Sequence, residues 1–86
     1  MTTLGRLIGE RLDALDMLRT ELADGLGITP VSISKWINGR DIVPWRHYVQ
    51  LSEILHCPLS KILAAAREDS PAHVEQFHRF YRPVSK

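Results

Sequence analysis

The sequence predicts an all-α fold, a five-helix bundle followed by a sixth helix near its C-terminal end. Apolar residues recur at three- and four-residue spacings, which is the period of an amphipathic helix. Proline and glycine occur where these patterns start and stop, as expected at helix ends. No alternation of apolar and polar residues is long enough for a β-strand. A chain of 86 residues can form one compact core.

The first two predicted helices are separated by a short turn. The first runs from about Thr3 to Leu15, and its apolar face consists of Leu4, Leu7, Ile8, Leu12 and Leu15. The second begins at Leu18 or Arg19 and ends between Gly25 and Gly27. Glycine tolerates the left-handed backbone in which helices commonly end. Gly27 is therefore predicted to form a sharp turn before a third helix.

The third predicted helix is short and has clear ends. Thr29 followed by Pro30 is typical of an N-cap and the first position of a helix. Proline is tolerated there because the amide N–H that it lacks would have no partner within the helix. Asn38 followed by Gly39 is typical of a helix end. These signals predict a helix of about nine residues, followed by a loop from Arg40 to Val43.

Prolines mark the starts of three further helices. Pro44 is predicted to open the fourth helix and Pro58 the fifth. Ser70 and Pro71 repeat the cap-and-proline pattern for a sixth, which Pro83 ends. The apolar residues of the fourth and fifth helices are Val49, Leu51, Ile54, Leu55, Leu59, Ile62 and Leu63.

The sixth helix is predicted to lie in a C-terminal tail, residues 68–86, outside a domain of residues 1–67. One side of this helix carries a stripe of apolar and aromatic residues, namely Val74, Phe77, Phe80 and Tyr81. Two interpretations of the stripe are open. It folds back onto the bundle, or it contacts a second copy of the chain or another protein.

Charge is distributed unevenly along the chain, although the formal net charge is only +1. Residues 29–49 contain three basic residues, Lys35, Arg40 and Arg46, and one acidic residue, Asp41. Basic charge therefore collects in the middle of the chain, which suits a polyanionic partner.

A single cysteine, Cys57, excludes an intrachain disulfide and fits a reducing compartment. The chain shows no apolar run of the length of a signal peptide or a membrane span. We therefore expect a cytoplasmic, nucleoid-associated protein that does not contact membranes, with Cys57 buried and inert.

The segment from Arg19 to Arg40 combines several features in a fixed order: Leu22-Ala23, the Gly27 turn, Ile28, Ser32-Ile33-Ser34, Trp36 and Asn38-Gly39-Arg40. At these offsets it resembles the Cro/C1-type (XRE family, lambda-repressor-like) helix-turn-helix family. The resemblance extends from about Leu4 to Leu63. It implies a five-helix bundle whose third helix enters the major groove of duplex DNA.

Three positions depart from the family pattern. Where many members pair a base in the first helix with an acid in the third, this chain has Leu12 and Ile37. Members often have glycine where His56 stands, so the end of the fourth helix is left open. An apolar pair in place of an ion pair leaves the predicted fold intact.

Helical periodicity predicts which side of the third helix faces outward. At about 100° per residue, one side of this helix is apolar and carries Ile33, Trp36 and Ile37. The opposite side, which we call the outer face, carries Pro30, Val31, Ser34, Lys35 and Asn38. We expect Lys35 to donate to guanine, Ser34 to several bases, and Val31 to pack against a thymine methyl group, while Pro30 offers only shape. Trp36 is interpreted as core, with base stacking as the alternative, and Trp45 stays open between core and interface.

The resemblance implies a second set of contacts, made to phosphates. It assigns Arg19, Asn38 and Arg40 to this set, and Thr29 and Arg46 complete it. Free backbone N–H groups at the helix ends near Arg19 and Thr29 suit a phosphate oxygen. Such contacts position the protein on DNA without specifying its sequence.

These features predict a small bacterial or phage transcription regulator that binds duplex DNA. The first hypothesis is a repressor that binds a near-palindromic operator as a homodimer, with half-site centres about 34 Å apart. The alternative is an antitoxin that autoregulates its promoter and binds a toxin through the tail. A third interpretation, favoured by the apolar Pro30 and Val31, is a helix-turn-helix fold that no longer binds DNA.

We expect no enzymatic activity, cofactor or metal site. No nucleophile, base and pocket combine in the pattern. The four histidines and Cys57 lack the paired close spacing of a structural zinc site.

Overall fold

Six α-helices make up the computed structural model, which describes residues 2–82. They are α1 (Thr3–Leu15), α2 (Arg19–Leu26), α3 (Pro30–Ile37), α4 (Tyr48–Ile54), α5 (Leu59–Asp69) and α6 (Pro71–Phe80). A short 3-10 helix, Trp45–His47, precedes α4. The described residues contain no strand, and none of their helices is long and apolar enough to cross a membrane. The prediction of an all-α fold is confirmed.

The ends of the first three helices agree with the sequence signals. Gly27 follows α2 with φ of 71°, and Gly39 lies just beyond α3 with φ of 74°. Both values fall in the left-handed region that glycine adopts without strain. Thr29 is the N-cap of α3 and Pro30 is its first residue. The Thr29 hydroxyl lies 3.4 Å from the Ser32 hydroxyl and does not cap the helix.

The fourth α-helix begins later than predicted. Pro44 precedes the 3-10 helix, in which the His47 amide donates to the Pro44 carbonyl oxygen at 3.1 Å. The α-helical hydrogen-bond pattern starts only at Tyr48, because the chain takes the tighter 3-10 winding that is common at helix starts. Helix α4 ends at Ile54, and His56 adopts the left-handed conformation with φ of 50°.

A single hydrophobic core receives side chains from every α-helix. Its buried members are Leu4, Ile8, Leu12, Leu22, Ala23, Leu26, Ile33, Trp36, Val43, Tyr48, Leu51, Leu55, Cys57, Ile62, Ala65, Ala66, Val74 and Phe77. Burial of each large apolar side chain contributes about 1.5–3 kcal/mol. Cys57 is a buried free thiol, as expected.

Helix α6 is part of this core. It packs on α5 and on the 3-10 helix. Val74 is 2% exposed and Phe77 is 6% exposed, and the Phe77 ring centre lies 5.8 Å from that of Tyr48 and 4.9 Å from that of Tyr81. The stripe therefore folds back at these positions. Of the two interpretations left open for the stripe, the burial of Val74 and Phe77 within the single chain favours folding back at these two positions.

The predicted boundary between residues 67 and 68 falls inside α5, which continues to Asp69. The last described helix is thus joined to the bundle without a linker of its own, because Ser70 alone separates α5 from α6. Phe80 is the exposed member of the stripe, at 55%, and Tyr81 is half-buried. Pro83, which was predicted to end the sixth helix, lies outside the described residues.

Side chains from distant parts of the chain cap two helices. The Asp69 carboxylate at the end of α5 accepts hydrogen bonds from the amides of Thr3 (2.6 Å) and Leu4 (2.8 Å). It supplies partners for two amides of the first turn of α1 that have none within the helix. At the end of α4, the Arg11 guanidinium donates to the Leu55 carbonyl oxygen at 3.0 Å.

Candidate nucleic-acid interface

Helices α2 and α3 are held together by a tight turn. The Gly27 amide donates to the Asp24 carbonyl oxygen at 3.2 Å, and the Ile28 amide donates to the Ala23 carbonyl oxygen at 3.0 Å. Ala23 and Leu22 are fully buried beneath the turn. Because these bonds satisfy two of the last four carbonyl groups of α2, the turn fixes where α3 begins.

The inner side of α3 anchors the helix to the bundle. Ile33 and Trp36 are buried and Ile37 is half-buried, as the periodicity predicts. Gly5 of α1 lies so close to the Trp36 carbonyl group that a Cβ atom on Gly5 would collide with it. The Trp36 ring centre lies 5.5 Å from that of His47. Trp36 is therefore a core residue and not a stacking platform for bases.

The outer face of α3 is directed to solvent. Pro30, Val31, Lys35 and Asn38 are exposed, with Val31 at 62%, and Ser34 is half-buried. The structure thus brings all residues predicted to contact bases onto one accessible surface. A helix presented in this way can enter the major groove.

Arg19 reaches from α2 to this outer face. It is the first residue of α2, and its Nη1 donates a hydrogen bond to Ser34 Oγ at 2.9 Å. Fifteen residues separate the two along the chain. Sequence reasoning assigned Arg19 to phosphate and missed this contact, because the crossing of α2 and α3 brings the two side chains together.

Of the other residues predicted to contact phosphates, three flank α3 and the fourth lies on the 3-10 helix. Asn38 and Arg40 are exposed at its C-terminal end, where the Arg40 amide donates to the Lys35 carbonyl oxygen at 2.8 Å. Thr29 is exposed at the opposite end. Arg46 is exposed on the 3-10 helix, in a segment that packs on α4 and α6.

Charge on the candidate interface is not neutralised by acidic partners within residues 2–82. One ion pair occurs there, between Arg79 and Glu75 on α6, at 3.7 Å. Arg19, Lys35 and Arg40 make no such pair. Their charges are therefore available to an anionic ligand.

His47, the last residue of the 3-10 helix, packs against Trp36 behind the interface. Its Nδ1 is buried and has no hydrogen-bond partner in the described structure. Burial and, to a lesser extent, the neighbouring Arg46 charge lower the pKa of His47. Both effects disfavour the imidazolium form at this site.

The structure also exposes apolar residues that the sequence did not single out for contact. Leu18, at the N-cap of α2, is 65% exposed, and Ile42 is exposed in the loop after α3. Trp45, left open between core and interface, is half-buried, and its ring centre lies 6.3 Å from that of Phe80.

Within residues 2–82, no cluster of His, Cys, Asp and Glu is arranged to hold a metal ion.

In this bundle a glycine turn positions one short helix, α3, whose outer face is exposed and is accompanied by basic side chains without acidic partners. This arrangement defines a helix-turn-helix domain of the DNA-binding type. A family model described as helix-turn-helix matches residues 8–62, well over half of the chain. The chain belongs to the Cro/C1-type helix-turn-helix family and is a DNA-binding transcription regulator. Neither the curated proteins nor the solved structures contain a match to it.

Proposed function

We propose that the protein is a transcriptional repressor of bacterial or phage type that binds a specific near-palindromic operator as a homodimer. The observation that supports this most directly is the outer face of α3, which is exposed and carries hydrogen-bond donors but no acidic side chain. Such a surface suits base edges in the major groove. We place the protein at the nucleoid in the cytoplasm and infer that it acts by occupancy, without catalysis or cofactor.

The proposed roles divide into base contacts and phosphate contacts. Lys35 and Ser34 donate to base acceptors, while Val31 and Pro30 supply apolar surface for a thymine methyl group. A second set positions the protein on the DNA backbone and consists of Thr29, Asn38, Arg40 and Arg46. These roles are supported by the exposure of all but Ser34, which is half-buried but lies on the same face.

The test is selection of binders from a random duplex pool, followed by salt titration of the winning duplex. Lys35→Ala should relax one base position, at a cost of about 1–3 kcal/mol. Arg40→Ala should weaken binding to all duplexes and reduce the salt slope by about 1. Lys61→Ala is the matched control. Lys61 is an exposed basic residue of α5, which packs on α1, α4 and α6 and is not part of the candidate interface. Lys61→Ala should bind like wild type. If no duplex is enriched, or if Lys35→Ala and Arg40→Ala bind like this control, the proposal is wrong.

Dimerisation is a separate part of the proposal. One helix-turn-helix contacts a short half-site, and two copies related by a twofold axis match a near-palindrome. Analytical ultracentrifugation of the protein with the selected duplex should give two copies on one operator. A single copy on every duplex, together with a monomer mass for the free protein at micromolar concentration, would contradict it.

The exposed Phe80 supports a second candidate function, that of an antitoxin. Its ring lies beside Trp45 on the surface of α6 and the 3-10 helix, where it could pack against a toxin. Phe80→Glu should then abolish toxin neutralisation and leave operator binding intact. A point substitution is preferable to truncation after Ala66, because truncation also removes the buried Val74 and Phe77.

A further inference from the structure

We propose that Arg19 is a specificity-determining residue that binds a guanine in the major groove together with Ser34, and is not a phosphate anchor. This inference rests on the proposed operator binding and deepens it, because it assigns a base to a residue outside α3. It replaces the expectation from family resemblance that placed Arg19 on the DNA backbone.

The position of the guanidinium is the first argument. Arg19 Nη1 lies 2.9 Å from Ser34 Oγ, and Ser34 lies in the middle of α3, on the same face as Val31 and Lys35. The side chain therefore crosses from the start of α2 onto the outer face of α3. A group held there lies beside the residues that enter the groove, whereas Thr29 and Arg40 lie at the two ends of the helix.

Hydrogen-bond chemistry is the second argument. Because Ser34 Oγ accepts from Arg19, the hydroxyl hydrogen of Ser34 points elsewhere and is available to an acceptor. Arg19 keeps four further N–H donors, and Lys35 is also a donor only. These three neighbouring side chains therefore present donors to the groove. Guanine presents two acceptors, O6 and N7, at its major-groove edge, and arginine binds both at once.

The rest of the outer face is the third argument. Pro30 and the 62% exposed Val31 lie toward the N-terminal end of α3, and their side chains form no hydrogen bonds. Helix α3 contains no acid that could accept from cytosine or adenine amino groups. Asn38, the other polar residue of the outer face, is the C-cap of α3 and belongs to the proposed phosphate contacts. Discrimination by hydrogen bonds on this face therefore depends on Arg19, Ser34 and Lys35.

The bond to Ser34 also prepares the arginine for binding. A free surface arginine loses rotamer entropy when it is ordered at an interface. In this structure the Ser34 hydroxyl restrains Arg19 before DNA arrives, and no carboxylate within residues 2–82 lies at ion-pair distance from it. We expect Ser34→Ala to weaken guanine selection without removing the guanidinium, and Ser34→Thr, which keeps the hydroxyl, to retain it.

The experiment uses the duplex that the full-length wild-type protein selects from a random pool. Each guanine of one half-site is replaced in turn by 7-deazaguanine, which lacks the N7 acceptor. At one guanine this should weaken wild-type binding about 10-fold, because one of the two hydrogen bonds of the bidentate contact is lost. Arg19→Ala loses both bonds, so it should weaken binding to the unmodified duplex at least as much and be insensitive to the modification at that guanine. Arg67→Ala, which removes an exposed arginine of α5, should bind like wild type and stay sensitive.

Two other outcomes would overturn the inference in different ways. If Arg19→Ala weakens selected and scrambled duplexes equally, lowers the salt slope by about 1 and stays sensitive to every modified guanine, Arg19 contacts phosphate. Operator binding would stand in that case, and only the inference would be lost. If the wild-type protein selects no duplex, no residue reads bases and the proposed function is lost as well. Urea unfolding of Arg19→Ala should match wild type, since the side chain is exposed.

Discussion

Gly5 of α1 lies directly against the backbone carbonyl group of Trp36 in α3, with no space for a methyl group between the two helices. The Thr2 hydroxyl approaches the same carbonyl oxygen at 3.4 Å. The contact sets the distance between α1 and the end of the helix that bears the candidate DNA-binding residues. A change at Gly5 should therefore affect both stability and the position of the outer face.

Gly5→Ala should destabilise the protein by about 1–3 kcal/mol, as expected for overpacking against rigid backbone. Gly9→Ala is its control on the same helix, because a Cβ there would meet Ile37 Cγ2 at an ordinary 3.7 Å. Because alanine has a higher helix propensity than glycine, Gly9→Ala should be up to about 1 kcal/mol more stable than wild type. Urea unfolding measures both changes, and equal shifts in the two variants would argue against the close contact.

Phe77→Ala should destabilise the protein by about 3–5 kcal/mol, because it leaves a cavity beside Tyr48 in the core. Phe80→Ala removes the same side chain from an exposed position and should change the free energy of unfolding by no more than about 0.5 kcal/mol. Both are measured by chemical denaturation. A small effect of Phe77→Ala would mean that α6 does not pack on the bundle in solution.

His56→Gly should stabilise the protein by about 0.5–1 kcal/mol. The left-handed conformation at φ of 50° costs an ordinary residue about 1–2 kcal/mol, of which the greater freedom of unfolded glycine offsets part. The opposite substitution, His56→Val, should destabilise, because a β-branched residue is least tolerated there. The side chain is exposed, so no packing is lost in either variant. Thermal unfolding that ranks valine above glycine would contradict the assigned backbone.

Stability should fall as the pH is lowered through the range just below 6.5. The pKa of His47 lies below its ordinary value of 6.5 because of burial and the Arg46 charge. Between the folded and ordinary pKa values the unfolded chain binds more protons than the folded chain, so acid favours unfolding. Below the folded pKa the contribution levels off. His47→Leu should reduce the pH dependence of the free energy of unfolding in this window, and an unchanged dependence would assign it to other groups.

Much of the fold could be predicted from the sequence, because its helix signals are local. Thr29, Pro30 and Gly39 each act through their own backbone and define α3 almost to the residue. The packing of α6 could not be predicted in this way. Its stripe has the same period whether it faces a partner or the bundle, and only the meeting of Phe77 with Tyr48 distinguishes the two.

The candidate site also has one part that the local sequence pattern predicts and another part that depends on tertiary packing. Periodicity alone predicts the outer face of α3, since Ile33 and Trp36 must be buried and the opposite side must then be exposed. The bond between Arg19 and Ser34 depends on how α2 crosses α3, which no local pattern encodes. The Trp45 and Phe80 pair on the surface depends likewise on where α6 comes to lie.

The Asp69 cap on α1 has a consequence for the order in which the protein matures during synthesis. A ribosome releases α1 first, but the carboxylate that serves the amides of Thr3 and Leu4 is made more than sixty residues later. Until α5 is complete, the amides of Thr3 and Leu4 lack this partner, and the start of α1 has only its local cap, the Thr2 hydroxyl that accepts from the Gly5 amide at 3.0 Å. The first turn of α1 therefore reaches its native set of hydrogen bonds only after α5 has been synthesised.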